Sequence, residues 1–281
     1  MTTIQPPAPA APAPTSVPPT PPTRGSSRVI AILLIVLGSF VILGTVFGTV
    51  LSTVRSGSVS TSASTLAVSG VQDLSVELRA GALTIEYADV REAELTVTSG
   101  RPGAWTFETR GTELVVASPV VDWGFPWVFA GPDRATLTLP ESLEGIDAAL
   151  GMSAGGMEIV GDFGDVVLRV GAGSIELAGS ADAVELDLAA GKATIDLADV
   201  SQAVVGVSAG SADVDLTGTA PRDIQIAVSA GSANVSVPDV AYDVTSEVSA
   251  GDFRNSLGTD SGASRTIAVE ISAGEVILRS N

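Results

Sequence analysis

Hydrophobic positions recur through most of this chain in one ten-residue frame: hydrophobic, any, hydrophobic, any, Ala, Gly, any, hydrophobic, any, hydrophobic. Its eight copies centre on Gly81, Gly155, Gly173, Gly191, Gly210, Gly231, Gly251 and Gly274, the Gly251 copy carrying Ser246 and Asn255 at two of the hydrophobic positions. Alternation with period two predicts β-strands with one apolar face. Around Gly210 the apolar set is Val205, Val207 and Ala209 on one side, then Ala212, Val214 and Leu216. The step of three from Ala209 to Ala212 breaks the period and would turn the second set outward. A bend at Gly210-Ser211 restores both arms to one interior, and glycine suits it because it has no Cβ to clash at positive φ. Alanine precedes the glycine in every copy (Ala80, Ala154, Ala172, Ala190, Ala209, Ala230, Ala250 and Ala273). That regularity predicts an interior corner too tight for Val or Leu.

From Gly155 onward the glycines are spaced by 18, 18, 19, 21, 20 and 23 residues. A strand-like period near 20 signals coils that bury their apolar faces only by stacking. The expected fold class is therefore all-β: residues 148–281 form a parallel β-helix, a solenoid of about 20-residue coils spaced by roughly 4.8 Å. It should be right-handed by the rule for parallel crossovers. Evenly spaced bends in one frame favour this over an antiparallel sandwich. Residues 70–147 hold the first frame copy and less regular strand-like runs, which predicts irregular coils or a capping β region. Some cap is required, because an end coil otherwise presents unpaired edges. No cap is visible at the other end, where the last frame reaches Leu278 of 281 residues. The expectation there is an open C-terminal coil whose edge is either blunted by Arg279 and the surrounding charges or stacked on a second molecule.

Residues 1–28 carry nine of the sixteen prolines and no acidic residue, which describes a disordered, proline-rich tail. Residues 29–54 follow without a charge, between Arg28 and Arg55. Their length exceeds the ~20 residues that span a bilayer. The reading is one transmembrane helix, retained rather than cleaved, since a signal peptide has a shorter apolar region and no long proline-rich leader. Gly44 and Gly48 match the small-xxx-small pairing pattern, so self-association through this helix is a second expectation. Arg24, Arg28 and the terminal amine against Arg55 put the N-terminus in the cytoplasm and the β-domain outside it. Residues 55–69 read as a Ser/Thr-rich stalk.

All 32 acidic residues lie at or beyond Asp73, against eleven basic ones after Arg55, so this part carries a net charge of −21. Such a surface excludes nucleic acid as a partner, because phosphate recognition demands clustered Lys and Arg. Histidine and cysteine are both absent. Ser-His-Asp and Cys-His hydrolases, N/S zinc sites and disulfides are thereby excluded. No glycine-rich nucleotide-binding motif opens a helix, and no cofactor is expected.

Two constellations remain. Trp123, Phe125, Trp127 and Phe129 fall in odd frame and would form one aromatic face: a stripe for a cell-surface glycan or protein partner, or a cover for the open core. Alignment on the glycines places Glu158, Glu176 and Asp213 in one outward column, and Asp196 and Asp215 in another. Oxygen ligands of this kind suit calcium, with Asp196, Asp213 and Asp215 as the candidates. They could also supply the paired carboxylates of a carbohydrate-active β-helix. The competing reading is a solvated acidic face. Arg169 and Asp187 share an outward column on adjacent coils and are expected to pair.

The glycine-bend frame, with Ser-Ala-Gly at 208–210, 229–231, 249–251 and 272–274, resembles a bacterial β-strand-repeat family labelled "putative adhesin", a domain of unknown function. The resemblance runs from about Val71 to Leu278. It implies a β-helix at the cell surface and carries over no site residue, because the matched positions are bends and core. The functional expectation is a single-pass, membrane-anchored, extracytoplasmic β-solenoid with a structural or adhesin-like role and no catalysis. The alternative is a cell-envelope sensor that signals through its cytoplasmic tail.

Overall fold

Stacked glycines organise the molecule. The computed structural model describes residues 60–99, 105–119 and 133–281. Among these the chain forms β1 (Ser60–Leu66), β2 (Asp73–Leu78), β3 (Ala82–Ala88), β4 (Ala93–Ser99), β5 (Thr106–Arg110), β6 (Glu113–Ala117), β7 (Arg134–Pro140) and β8 (Asp147–Met152). Then come the long strands β9 (Gly155–Val170), β10 (Gly173–Ala198), β11 (Gln202–Thr217) and β12 (Asp223–Val237), followed by β13 (Asp243–Val248), β14 (Gly251–Asn255) and β15 (Thr266–Ser280). The fold is all-β, with the strands joined in one large sheet. Among the described residues no helix is long and apolar enough to cross a membrane. The uncharged span 29–54 lies outside them.

Each repeat contributes a first arm, a bend and a second arm. Successive repeats pair in parallel with glycine on glycine: Gly173 on Gly155, Gly210 on Gly191, Gly231 on Gly210. Seven of the eight frame glycines have φ between 117° and 157°; Gly231 does not lie in this region. A Cβ on Gly173 would collide with the carbonyl oxygen of Gly155, and every later frame glycine meets its neighbour in the same way. Only glycine allows backbones to approach this closely at positive φ.

The arms supply the core. Val76, Leu150, Leu168, Leu186, Val205, Ile226 and Val269 form one inward column, none more than 3% exposed. Ile195, Val214, Val235 and Leu278 continue an equivalent column on the second arms. Connections between repeats add Phe163, Ala181, Val200 and Tyr242, all buried. The expected alanine corner is corrected: the frame alanines are half-buried or exposed. The inward positions run from Val207 directly to Ala212, so Ser208, Ala209 and Gly210 together make the bend. The alanine lies outside the core.

Layer order departs from chain order at both ends. β2 and β3 pair with β8 and β9 on one side and with β6 and β7 on the other. Gly81 thus stacks beneath Gly155, and Asp133 takes the corner position beyond it. The Ala82 amide donates to the Asp133 carbonyl at 2.9 Å. Beyond that layer, β4 runs antiparallel to β7, β1 antiparallel to β4, and β5 antiparallel to β6. Antiparallel strands end the parallel register there.

At the other end the last frame in the sequence is not the last layer. β15 lies between β12 and the pair β13–β14. The expected open C-terminal coil is therefore corrected: Gly274 is interior, and the Gly251 layer is terminal. Ser246 and Asn255 occupy core columns in that layer, opposite Val269 and Leu278. Polar residues in these columns let the final layer face water. Thr259 covers part of its edge, its hydroxyl accepting from the Val244 amide at 3.0 Å.

Candidate functional surface

Outward positions of the two arms form two different surfaces. On the second arms, Glu158 and Glu176 stand in register, as do Asp196 and Asp215. Asp213 follows Thr194 in its column and precedes Asn234. Each of its carboxylate oxygens has a partner: Lys192 Nζ lies 3.4 Å from Oδ2, and Asn234 Nδ2 donates to Oδ1 at 2.8 Å. Asp215 Oδ1 accepts from Asn281 Nδ2 at 2.8 Å. Arg279 Nε donates to Ser236 Oγ at 2.7 Å, and Arg254 pairs with Glu275. Among the described residues no group of three or more acidic side chains is arranged to hold a metal ion. The columns predicted from the glycine alignment exist, and within them Asp213 pairs with Lys192 and Asn234 while Asp215 accepts from Asn281.

The first arms carry a different pattern. Glu77, Gly151, Arg169, Asp187, Gly206, Ala227, Glu270 and Glu247 form one outward column. Where glycine or alanine interrupts it, the face is hollow. An open groove of about 660 Å³ runs beside Gly151, with Ser153, Gly171 and Ala189 along it and Glu77, Arg169 and Asp187 at its rim. A second hollow of about 450 Å³ lies at Gly206 and Ala227, bordered by Glu247 and Glu270. Glu77 leans over Gly151, where an added Cβ would lie 3.0 Å from its Oε2.

The expected Arg169–Asp187 pair is corrected as well. The two residues are in register, but no ion pair joins them, whereas Arg110–Glu108, Lys192–Asp213 and Arg254–Glu275 do pair. Asp187 leans instead toward Gly206, where an added Cβ would lie 3.2 Å from its Oδ1.

Glu113, Asp73 and Asp147 are in register at the start of the first arms, and Asp165, one residue before the Ala148–Val166 pair, extends the column. It opens onto a hollow of about 600 Å³ that Arg110 and Thr112 also border. Asp147 Oδ1 accepts from the Asp165 amide at 2.8 Å, and Thr112 Oγ1 donates to Asp73 Oδ2 at 3.2 Å. Sequence reasoning missed this column although a signal was present. Asp73, Asp147, Asp165, Asp223 and Asp243 each stand eight residues before a frame glycine. In Asp223 the carboxylate accepts from Gln225 Nε2 and Thr266 Oγ1, and these bonds hold its pKa below the ordinary value.

The aromatic residues Trp123, Phe125, Trp127 and Phe129 lie outside the described residues. The chain leaves the first arm of its layer at Ser118 and re-enters at Asp133, both buried. The Arg79 amide donates to Ser118 Oγ at 2.8 Å, and Ser99 Oγ donates to Asp133 Oδ1 at 2.5 Å. The departure point is thus well anchored at the corner beside Gly81.

No family model matches the chain, and no curated protein matches it. Solved structures do. A "putative cell adhesion protein" from Clostridium sporogenes is similar at 12% identity, covering 79% of this chain and 100% of its own, with a TM-score of 0.37. A "putative adhesin" from Bacteroides fragilis is 14% identical over 78% of this chain and 97% of its own, with a TM-score of 0.43. A "putative lipid binding protein" from Parabacteroides distasonis is 13% identical over 79% and 97%, with a TM-score of 0.39.

Proposed function

We propose that the chain is a single-pass membrane protein that displays a right-handed parallel β-solenoid outside the cytoplasm, with an adhesin-like or structural role and no catalysis. The observation that carries this reading is the glycine-on-glycine register, which turns the outward positions into long, regular columns rather than a convergent pocket. A repeated surface of that kind binds by presenting an extended face. The uncharged span 29–54 supplies the anchor, and the strongly acidic composition beyond it keeps the domain away from anionic headgroups. The first-arm face is the recognition surface, because its carboxylates lack the internal ion pairs of the second-arm face. Its partner is a cell-surface glycan or protein.

The test uses intact bacteria that express the full chain. External protease should remove the β-domain and leave the N-terminal tail protected. Cells should also lose retention on a glycan- or protein-coated surface when Glu77, Asp187 and Glu270 are changed to Ser together. Protection of the β-domain from external protease would overturn the topology. Unchanged retention would overturn the adhesive role and leave a structural one.

The proline-rich tail on the far side of the span favours a second reading, envelope sensing through a cytoplasmic partner. Deletion of residues 1–22 should then abolish a transcriptional response to envelope damage, and an unaltered response removes the idea.

A further inference from the structure

Chain order and layer order disagree at the C-terminal end, and we infer from this that β13–β14 is a provisional cap. It first stacks directly on β12 and is then displaced outward by β15.

Three observations support the exchange. The first is register. Ala227 of β12 and Glu247 of β13 both stand opposite Glu270 of β15, and Gly231 and Gly251 both stand opposite Gly274. Without β15 between them, β12 and β13–β14 already match position for position.

The second is connector length. Residues 218–222 join β11 to the adjacent layer β12, and residues 238–242 join β12 to β13. The two connectors are equally long, yet the second passes over an intervening layer. A one-layer connector serves a two-layer step. Residues 256–265, twice that length, then return the chain by one layer.

The third is the quality of the apolar match. Against the core columns of β12, β15 offers Ile267, Val269, Ile271, Val276 and Leu278, all buried. β13–β14 offers Val244, Ser246, Val248, Phe253 and Asn255 at the same positions. Val248 is 43% exposed in the finished structure. Burial of apolar surface makes β15 the stronger partner for β12, and the polar pair makes β13–β14 the better end.

The order of emergence gives the device its purpose. Residues 243–255 appear before 266–280 in any N-to-C synthesis or translocation. Until β15 arrives, the apolar edge of β12 would be open to pairing with other chains. A cap that precedes the layer it will finally cover closes that interval.

The absence of cysteine makes the test clean. In the full-length chain carrying Ala227→Cys and Glu247→Cys, both at exposed positions, the native Cα separation is about two strand spacings, ~9.6 Å. That exceeds the ~7 Å reach of a disulfide. Oxidant pulses during refolding should trap the 227–247 bond at early times, with a yield that falls to background as folding completes. A second variant, Ser232→Cys with Glu275→Cys, spans β12 and β15 and should cross-link only later. If the 227–247 bond never forms, or the 232–275 bond forms first or at the same time, the proposal is overturned. A 227–247 bond that forms readily in the fully folded chain also overturns it, because β15 would then not lie between the two strands.

Discussion

The carbonyl oxygen of Gly231 occupies the space that a Cβ on Gly274 would need, although 43 residues separate the two glycines. Gly251, which falls between them in the chain, stacks on the far face of Gly274. The glycine ladder therefore records the true order of layers, and substitutions along it report on that order.

Gly210 has φ of 154° and its missing Cβ would meet the Gly191 carbonyl. Gly210→Val should cost more than ~1 kcal/mol through backbone strain and displacement of the neighbouring layer. Gly262 has only the Asp260 carboxylate near it, at 3.3 Å, so Gly262→Ala is the control and should change stability little. Urea unfolding of both variants makes the comparison. Equal stability for the two would remove the close-stacked bend.

Calcium should not stabilise the domain through Asp213. The carboxylate is held by Lys192 and Asn234, and a cation would have to compete with both. The expected result is an unaltered melting temperature in millimolar calcium, followed by scanning calorimetry. A rise that Asp213→Asn abolishes would establish a site there.

Like charges stand in register at Glu158–Glu176, Asp196–Asp215 and Glu270–Glu247. Directly opposed like charges destabilise a sheet, and salt screens them over a Debye length of ~8–10 Å. Raising sodium chloride should therefore raise the melting temperature. Glu176→Gln should stabilise by a few tenths to ~1 kcal/mol at low salt, with the gain shrinking as salt rises.

Titration should reveal opposite effects at the two extremes of pH. Burial is the main cause that raises the Tyr87 pKa above its ordinary 10.0, and nearby Glu144 and Asp162 add to it. Burial raises that of Tyr242 as well. A raised folded-state pKa contributes stability that is full below pH 10 and declines as pH climbs above it. Tyr87→Phe should flatten this alkaline decline, at the expense of the bond from its hydroxyl to the Leu143 carbonyl, 3.3 Å. Asp223, whose pKa is lowered by Gln225 and Thr266, behaves in reverse. Its contribution is full above the ordinary 3.8 and is lost as pH falls through the lower folded-state value. Asp223→Asn should remove that acid dependence, read from urea midpoints between pH 5 and pH 2.

The sequence by itself determined the strands, the bends and the outward columns, because these depend on local spacing. Alternation around Gly155, Gly173, Gly191, Gly210 and Gly231 specifies which side chains face inward wherever the repeat lies, save the alanine before each glycine, which the folded chain leaves outside the core. The Glu158–Glu176 and Asp196–Asp215 neighbours were legible for the same reason. Tertiary structure decided which layer touches which. Gly81 joins Gly155 across 74 residues, and Gly274 slips between Gly231 and Gly251. Every copy presents the same glycine corner, so the frame cannot rank the partners. The ranking comes from how completely each edge is buried, and this sets Val269 and Leu278 against β12 and leaves Ser246 and Asn255 for the exposed end. The groove beside Gly151 also needed the folded chain, since it exists only where residues 77, 151 and 169 are brought into one column.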